Sequence, residues 1–458
     1  MTEVQDLAAF VSAASIFDMS VAALDQLKVR VLDTIGVAIG ALDAKPMVAI
    51  RGLLVDLGGT EQATLIGGGK TSPERAAFYN SGLSRYLDFM DAYLAKGETN
   101  HPSDNLGAVL AAAESVDASG AEFLTALAIA YQVQARLSDV APVRAKGFDH
   151  TTQGAYAAAA AAAKALRLPV GQIANAIAIC GTANNALRVT RTGALSNWKG
   201  LAYPQVAKEG VFAALLASRG ITGPAEVFEG NKGFKDTIAG PFDIDWASED
   251  LERVRRTIIK KYDAEIHSQS ALEAALDIRQ QDGFRSENIV GVHLTTFDVA
   301  HSIIGGGEEG DKRIVRTKEE ADHSLPWMIG VALLDGELLP RQYEPARITA
   351  DDVQALMRKV SISPDDGFSA RFPDEMPALL EISMADGGKY HAEHSAYEGF
   401  HSDPLGWAGA ERKFTRLAEP FADAGLRAEI IAIIRSLEKE KITALTSALG
   451  RVSTTRTR

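Results

Sequence analysis

The chain has 458 residues, of which 46% are apolar and 23% charged, and its formal net charge is −13. This length predicts two domains, or one domain with a large insertion. The acidic balance argues against a nucleic-acid partner, although a local cationic pocket can exist in an acidic protein. The single cysteine, Cys180, excludes an internal disulfide and a cysteine-ligated iron–sulfur cluster.

The start of the chain and its apolar runs favour a cytoplasmic protein. Residues 1–6 lack the basic region of a signal peptide, and a lone cysteine fits a reducing compartment. The most apolar run, residues 155–163, is too short to span a bilayer. We therefore expect no membrane partner. The tail after Gly450 has no apolar period and is expected to be disordered.

Helical spacing of apolar residues dominates the first half of the chain. Residues 21–42 follow Ser20, a good N-cap. Ser72 and Pro73 are typical of a helix start. Other helices are predicted after Asn105, from Ala121, over 154–166, from Pro169 to about Cys180 and over 205–218.

The glycine-rich run Ile66–Thr71 resembles a phosphate-binding loop. The motif needs a glycine five residues before Gly69, and Thr64 stands there instead. We therefore interpret this run as a glycine-rich turn before a helix.

The pattern changes near Ile258. Residues 289–297 are rich in β-branched side chains, and 360–363 and 380–384 alternate with period two, so strands are predicted there. The turn Asp386-Gly387-Gly388 predicts a hairpin between 380–384 and 390–394. Helices are predicted over 327–334, 406–417 and 426–449.

The predicted fold class is mainly α. A large all-helical domain would be built from residues 1–257 and 399–458. A smaller α+β domain, residues 258–398, would be inserted late in the chain.

The connection around residues 88–107 carries the densest group of chemically versatile side chains. It contains Asp88, Asp91, His101 and the polar run Ser103–Asn105. Connections held by rigid helices often carry catalytic groups. Helix capping explains Ser103–Asn105 equally well, whereas the company of His101 favours function.

Two isolated residues further along the chain are also candidates for a functional role. His150 precedes the alanine-rich helix, where backbone N–H groups favour anions, although a cap with an incidental histidine explains it equally well. Lys199 lies beside Trp198, and taken alone it is typical of a solvated surface lysine.

Two more segments lie in the second half. Lys260, Glu265 and His267 form a polar cluster where the helical pattern ends, and such junctions often host ligand sites. His323, with Asp322, precedes a helix capped by Ser324, where capping and packing are equally good explanations.

Metal, nucleotide and hydrolase motifs are absent from the sequence. No pair of histidines or cysteines has ligand spacing in a predicted helix, and His391 and His394 would point to opposite faces of a strand. Neither a Gly-x-Ser-x-Gly elbow nor a Gly-x-Gly-x-x-Gly fingerprint occurs. No metal and no cofactor is therefore expected.

Three segments together resemble the MmgE/PrpD family, in the family's order and over nearly the whole chain. They are His101-Pro102-Ser103-Asp104-Asn105-Leu106-Gly107, Lys260–Gln269 with its core Ala264-Glu265-x-His267-Ser268-Gln269, and Ala321-Asp322-His323-Ser324-Leu325-Pro326. The family includes 2-methylcitrate dehydratase, cis-aconitate decarboxylase and iminodisuccinate epimerase. The resemblance implies a homodimer with a helical domain, a smaller lid domain and an active site between them. That site would act on a small polycarboxylate without metal or organic cofactor.

Matched position by position, the resemblance implies active-site roles for Asp88, His101, His150, Lys199, Lys260 and His267. Substrate contacts are expected from Ser103, Asn105, Asp91 and His323. Two departures bear on the substrate: a threonine of the family is Ala92 here, and a proline at the junction is Asp263.

Dehydration of such an acid removes a proton next to a carboxylate and expels hydroxide. Cations must neutralise the developing charge, for which Lys199, Lys260 and His101 are candidates. Asp88 or His150 would be the base, and His267 or His101 the acid.

Three hypotheses follow. The first is a dehydratase for 2-methylcitrate or a related hydroxy-tricarboxylate. The second is a decarboxylase or epimerase of the same family. The third, from another class, is a non-catalytic binder of polycarboxylates, with Ala92 and Asp263 as signs of decay.

Overall fold

α-Helices make up most of the structure, a computed structural model that describes residues 1–456. The end of the predicted tail, Thr457 and Arg458, lies outside the described residues. The helices are α1 Glu3–Ala13, α2 Val21–Gly40, α3 Lys45–Leu57, α4 Pro73–Tyr86, α5 Leu106–Ser115, α6 Gly120–Val140, α7 Thr151–Ala165, α8 Val170–Ala183, α9 Ala202–Ser218, α10 Gln269–Arg279, α11 Asp298–Ile304, α12 Lys318–Ala321, α13 Leu325–Asp335, α14 Pro345–Ile348, α15 Asp351–Met357, α16 Asp366–Arg371, α17 Trp407–Ala418, α18 Ala424–Arg435 and α19 Ile442–Leu449. The strands are β1 Ala63–Thr64, β2 Lys70–Thr71, β3 Asp91–Ala95, β4 Glu98–Asn100, β5 Ile258–Ile259, β6 Ile289–Thr296, β7 Val360–Pro364, β8 Ala378–Met384 and β9 Lys389–His394.

Contacts divide the chain into two units. The first contains residues 1–190, 200–257 and 405–458, and the second contains 191–199 and 258–404. The segment 191–199, which includes Lys199, clusters with the second unit, whereas the sequence analysis assigned it to the helical domain. The arrangement of a lid over a helical domain stays a prediction.

The alanine-rich helix α7 lies in the core of the first unit. All its alanines are buried, and it packs against α5, α6, α8 and α9. Small residues allow α7 and α9 to approach closely. At Gly210 of α9 there is no room for a side chain, because a Cβ there would lie only 2.8 Å from the Cβ of Ala158. The prediction of a closely packed alanine helix is confirmed.

Local signals fixed several boundaries correctly. Ser20 caps α2 by accepting from the N–H of Ala23, and α4 begins at Pro73 as predicted. The glycine-rich run is a turn between β1 and β2, and Gly67, Gly68 and Gly69 have φ of 91°, 97° and 81°. These angles lie in the left-handed region, which explains the three glycines.

The prediction of an all-helical first domain was wrong in two places, because two short hairpins occur there. β1 pairs with β2, and β3 pairs antiparallel with β4 within the connection predicted as a loop. The five residues of β3 are all buried, so they lack the alternation that identifies a strand in sequence.

The predicted helix over residues 426–449 is two helices, α18 and α19. Between them the N–H of Gly120 donates to the carbonyl of Glu440, and the N–H of Ile442 donates to that of Ala118. A Cβ on Gly120 would lie 1.8 Å from the carbonyl oxygen of Leu437. Contact with the start of α6 therefore interrupts the helix, and no local pattern announces it.

The predicted disorder after Gly450 was wrong for the described part of the tail. Val452 is buried, and the N–H of Ser453 donates to the carbonyl of Phe421 at 2.9 Å.

The second unit is built on a four-stranded sheet with the order β7-β6-β8-β9. β6 pairs parallel with β7 and antiparallel with β8, and β8 and β9 form the predicted hairpin. Alternate residues of β8, such as Leu380 and Ile382, join the core with Trp327 and Met328 of α13. Ser324 caps α13 by accepting from the N–H of Trp327, as predicted.

Within residues 1–456, every helix is either too short or too polar to cross a membrane.

Candidate active site

Asp88 lies just after α4, in a loop formed by residues 87–90. Its φ of 61° is left-handed, a conformation that aspartate tolerates better than most residues. Nη1 of Arg85, one turn earlier on α4, donates to Oδ1 of Asp88 at 3.1 Å. Nε of Arg85 also lies 3.8 Å from Oδ2 of Asp104. A buried guanidinium therefore holds the carboxylate of Asp88 in place.

Asp91 connects the first strand of the hairpin to the histidine segment. Its Oδ1 accepts from the N–H of Ser103 at 3.1 Å, and its Oδ2 from the hydroxyl of Tyr131 at 2.7 Å. Its backbone carbonyl lies 2.7 Å from Nδ1 of His101. Both carboxylate oxygens are thus occupied within the first unit, while the Oγ of Ser103 has no hydrogen-bond partner among the described residues.

Burial raises the pKa of Asp91, and the donors Ser103 and Tyr131 and the charge of Arg30 offset this only partly. The pKa of Tyr131 is also raised well above its ordinary value, by burial and by the charge of Asp91. Burial therefore disfavours the ionised form of both partners of this hydrogen bond.

His150 stands at the start of α7, as predicted. Its Nδ1 is 3.3 Å from Oδ1 of Asp149. Its ring lies edge-on to that of His101, with centroids 5.5 Å apart. Both rings are buried, at 2% and 6% exposure. The structure therefore brings together His101 and His150, which 49 positions separate in the sequence.

Asn105 has an interior network of its own. Its Nδ2 donates to Oε1 of Gln134 at 2.8 Å and to the carbonyl of Pro102 at 3.0 Å, while its Oδ1 accepts from the hydroxyl of Tyr203 at 2.9 Å. The amide therefore fixes the short 3₁₀ helix Pro102–Asn105 on the core of the first unit. Gly107 permits the close packing, because a Cβ there would lie 2.4 Å from the backbone nitrogen of Ser81.

In the second unit, the carboxylate of Asp322 contacts two lysine ammonium groups and one histidine ring. Its Oδ1 accepts from Nζ of Lys199 at 2.6 Å and lies 2.8 Å from Nδ1 of His323, and its Oδ2 accepts from Nζ of Lys318 at 2.6 Å. Burial opposes its ionisation, but the charges of Lys199, Lys318 and His323 hold the pKa of Asp322 well below its usual range. Lys199 is thus a buried ion-paired lysine with 3% exposure rather than a solvated one.

The carboxylate of Glu265 contacts His267 as that of Asp322 contacts His323. Its Oε1 lies 2.8 Å from Nδ1 of His267, and its Oε2 accepts from the backbone N–H of His267 at 2.7 Å. Burial alone would raise the pKa of Glu265, yet His267, His323 and Lys260 lower it to about 2. Lys260 is completely buried. The N–H of Glu265 donates to the carbonyl of Asp322, which joins this pair to the Asp322 cluster.

The candidate histidines share one orientation. In each of them, Nδ1 points towards an oxygen that can accept a hydrogen bond; the four are His101, His150, His267 and His323. A backbone carbonyl only accepts, and the carboxylates of Glu265 and Asp322 are ionised, so Nδ1 of His101, His267 and His323 carries a hydrogen that it donates to these oxygens. The other five histidines of the chain are all more exposed than these four.

Several residues of these clusters were missed by the sequence analysis as site residues. They are Arg85, Tyr131, Tyr203 and Lys318, whereas Glu265 and Asp322 were named in candidate segments without a role in the reaction. Glu265 and Asp322 had a local signal, because each precedes a candidate histidine by one or two positions. Tyr131 and Tyr203 had none, because their partners lie 40 and 98 positions away.

The fold and these clusters define a class: a mainly helical protein with small sheets and with buried clusters of histidines, lysines and carboxylates. The N-terminal domain of the MmgE/PrpD family matches residues 5–247, and the C-terminal domain of that family matches residues 262–439. The chain belongs to the MmgE/PrpD family.

Relatives with described activities are similar over most of their length. The 2-methylcitrate dehydratase of Salmonella typhi is 29% identical over 399 residues, which cover 80% of each chain. The mitochondrial 2-methylcitrate dehydratase of Yarrowia lipolytica is 27% identical, covering 84% of this chain and 77% of its own. An alkylcitrate dehydratase from a fungal species is 28% identical, covering 81% and 77%. Together these relatives support an enzyme of the hydro-lyase class.

Proposed function

We propose that the protein dehydrates 2-methylcitrate, or a closely related citrate-like hydroxy-polycarboxylate, to the unsaturated acid without a metal ion. The observation that carries this proposal is the common orientation of the four buried histidines, each of which is held through Nδ1 by an oxygen of the protein. The relatives named as 2-methylcitrate and alkylcitrate dehydratases support the substrate class.

The reaction is an elimination. A base removes a proton from the carbon next to a carboxylate, the electron pair forms the carbon–carbon double bond, and the hydroxyl group on the adjacent carbon leaves as water after an acid protonates it. Charge accumulates on the neighbouring carboxylate before the hydroxyl leaves. Fixed cations near that carboxylate therefore lower the barrier.

For the first unit we propose proton removal by the pair His101 and His150. Asp91 fixes His101 through its carbonyl, and Asp149 lies beside His150. Because Asp88 shares its charge with Arg85, we assign it the orientation of the substrate rather than proton removal. The hydroxyl of Ser103, which has no hydrogen-bond partner among residues 1–456, is available to a substrate carboxylate.

For the second unit we propose charge stabilisation and proton donation. Lys199 and Lys260 are buried cations suited to substrate carboxylates. The ionised carboxylate of Glu265 stabilises a protonated His267, which would donate the proton to the leaving hydroxyl. His323 would be held for a substrate contact by Asp322.

Ultraviolet absorbance of the unsaturated product tests the proposal. Purified protein is mixed with citrate, 2-methylcitrate, isocitrate and cis-aconitate, each with and without a chelator. We expect a rise with 2-methylcitrate that survives the chelator. Loss of the signal in chelator would contradict the metal-free mechanism. Carbon dioxide release, racemisation, or binding without turnover would identify the decarboxylase, epimerase and binding-protein alternatives.

Single substitutions test the assigned roles. His101→Ala and Lys199→Ala should each lower turnover by about 10²–10⁴-fold, the range for a lost proton carrier or charge-stabilising donor. His293→Ala is the matched control, because His293 lies on the partly exposed face of β6. Near-normal turnover in either site variant would remove that residue from the mechanism.

Two finer expectations accompany the proposal. The protein would be a cytoplasmic homodimer, and its product would belong to propionate catabolism. Light scattering tests the first, and a monomer would contradict it. Growth of a deletion strain on propionate tests the second, since unimpaired growth would contradict that role.

A further inference from the structure

The loop of residues 87–90 receives a side chain from the far end of the chain. Nζ of Lys413, on α17, donates to the carbonyl of Phe89 at 2.7 Å. The same Nζ lies 2.8 Å from Oδ1 of Asp33 on α2, and 3.9 Å from the centre of the Phe89 ring. One ammonium group thus joins α17, α2 and the residue that follows Asp88.

We propose that Lys413 is a positioning residue for the proposed dehydration, which holds the loop of residues 87–90 so that Asp88 is presented in its left-handed conformation. The inference rests on the proposed function for its kinetic consequence. Its structural basis is independent of that function.

The loop is fixed from two sides. Arg85 holds the carboxylate of Asp88, and Lys413 holds the peptide carbonyl one residue later. A non-glycine residue at φ 61° persists only where its surroundings determine the backbone. Removing the donor to the Phe89 carbonyl releases the peptide next to Asp88, while Arg85 retains its side chain.

A purely structural ion pair would not need this lysine. Buried ion pairs can often be replaced by apolar side chains of similar volume with little loss of stability. An apolar residue at 413 could join α2 to α17 but could not donate to the Phe89 carbonyl. The directed hydrogen bond distinguishes positioning from helix packing.

Lys28 provides a matched control. Lys28 lies on α2, as Asp33 does, and its Nζ donates to the carbonyl of Arg435 at 2.9 Å and to Glu438 at 3.2 Å. The side chains of Lys28 and Lys413 are 10% and 11% exposed. Lys28 therefore makes a similar carbonyl and carboxylate contact to the C-terminal segment, but away from the loop of residues 87–90.

The experiment compares Lys413→Met, Lys413→Arg, Lys28→Met and the double variant Asp33→Asn/Lys413→Met in the full chain. The double variant avoids an unpaired buried carboxylate if Lys413→Met folds poorly. With 2-methylcitrate we expect kcat to fall about 10–100-fold in Lys413→Met and in the double variant, with KM within about threefold, as for a lost positioning contact. Lys413→Arg should recover part of kcat, and Lys28→Met should keep it.

Hydrogen exchange separates this inference from the proposed function. Peptides covering residues 86–95 should exchange faster in Lys413→Met and in the double variant than in wild type. Their exchange rate in Lys28→Met should equal that of wild type. Unaltered exchange there, or equal kcat values for the Lys413 and Lys28 variants, would overturn the positioning role. If wild type turns over none of the acids, the proposed function fails, and the exchange result still decides whether Lys413 holds the loop.

Discussion

Both units bury carboxylates, yet the pKa values of the two sets are displaced in opposite directions. In the first unit, burial raises the pKa of Asp33 and Asp91. In the second, the pKa of Glu265 is about 2 and that of Asp322 lies well below its usual range. Burial alone would raise all four, so the neighbours decide the sign.

The neighbours of Asp91 and Asp322 differ in charge. Asp91 accepts from a tyrosine hydroxyl and a backbone N–H, which are neutral donors. Asp322 faces two ammonium groups and an imidazole. The surroundings of Asp91 are therefore close to neutrality, which suits proton exchange, whereas those of Asp322 hold compensated charge, which suits stabilisation of an anion. This division agrees with the roles proposed for the two sets of histidines and lysines.

The largest effect is expected from Asp322→Asn. Lys199 and Lys318 would keep their charges and lose the carboxylate that accepts from both, so the free energy of unfolding should fall by about 3–5 kcal/mol, as for other broken buried pairs. Urea unfolding followed by tryptophan fluorescence measures the change. Turnover should fall as well, because Lys199 and His323 both lose the carboxylate that positions them.

Asp335→Asn is the control within the same unit. Asp335 pairs with Arg347, and their side chains are 19% and 24% exposed. Because such pairs contribute about 0–1 kcal/mol, its loss should be small. A loss in Asp322→Asn no larger than in Asp335→Asn would contradict the picture of a charge-compensated cluster.

A pH-dependent effect is expected from Glu265→Gln. A carboxyl group whose folded pKa is lowered stabilises the fold above its unfolded pKa, about 4.3 for glutamate, and loses that contribution as pH falls through the folded pKa. With a folded pKa of about 2, wild type should exceed the variant in stability at pH 6. The difference should shrink as pH falls from about 5 towards 2. Unfolding free energies at a series of pH values test this, and a constant difference would contradict it.

The sequence predicted the parts of this fold that depend on neighbours along the chain. Ser20 and Ser324 cap their helices through backbone groups three positions away, so their signals are local. The break between α18 and α19 depends on Gly120, more than 300 positions earlier, and was missed. The hairpin of β3 and β4 was missed because complete burial removes the alternating pattern of a strand.

The candidate site divides in the same way. The acid beside each of His150, His267 and His323 lies one or two positions before it, so the orienting pair is visible in the sequence. The partner of His101 is a backbone carbonyl ten positions earlier, and a residue of any type could supply that carbonyl. Lys413 lies 324 positions from Phe89. Only the folded chain brings these groups together.

A smaller effect is expected from Tyr131→Phe in the first unit. The change removes the donor to Oδ2 of Asp91 and leaves that buried oxygen without it, which should cost about 1–3 kcal/mol in unfolding free energy. Tyr93→Phe is the control, because Asp139, the partner of its hydroxyl, also pairs with Arg253. Urea unfolding of both variants measures the difference. Equal losses of unfolding free energy would show that the hydroxyl of Tyr131 contributes no more to stability than that of Tyr93.

The smallest effect is expected from Asp91→Asn, although it is chemically the same change as Asp322→Asn. The amide oxygen can accept from the N–H of Ser103, and the amide nitrogen can donate to the hydroxyl of Tyr131, so both contacts survive in number. Because the pKa of Asp91 is raised, ionised Asp91 destabilises the fold above its folded pKa, and this penalty disappears as pH falls towards the unfolded value of about 3.9. Near pH 7 the loss should therefore stay below about 1 kcal/mol, within the range of a volume-conserving change. On acidification wild type should gain stability relative to this variant, whereas it loses stability relative to Glu265→Gln. Parallel slopes in the two series would contradict the opposite displacements of the pKa values of Asp91 and Glu265.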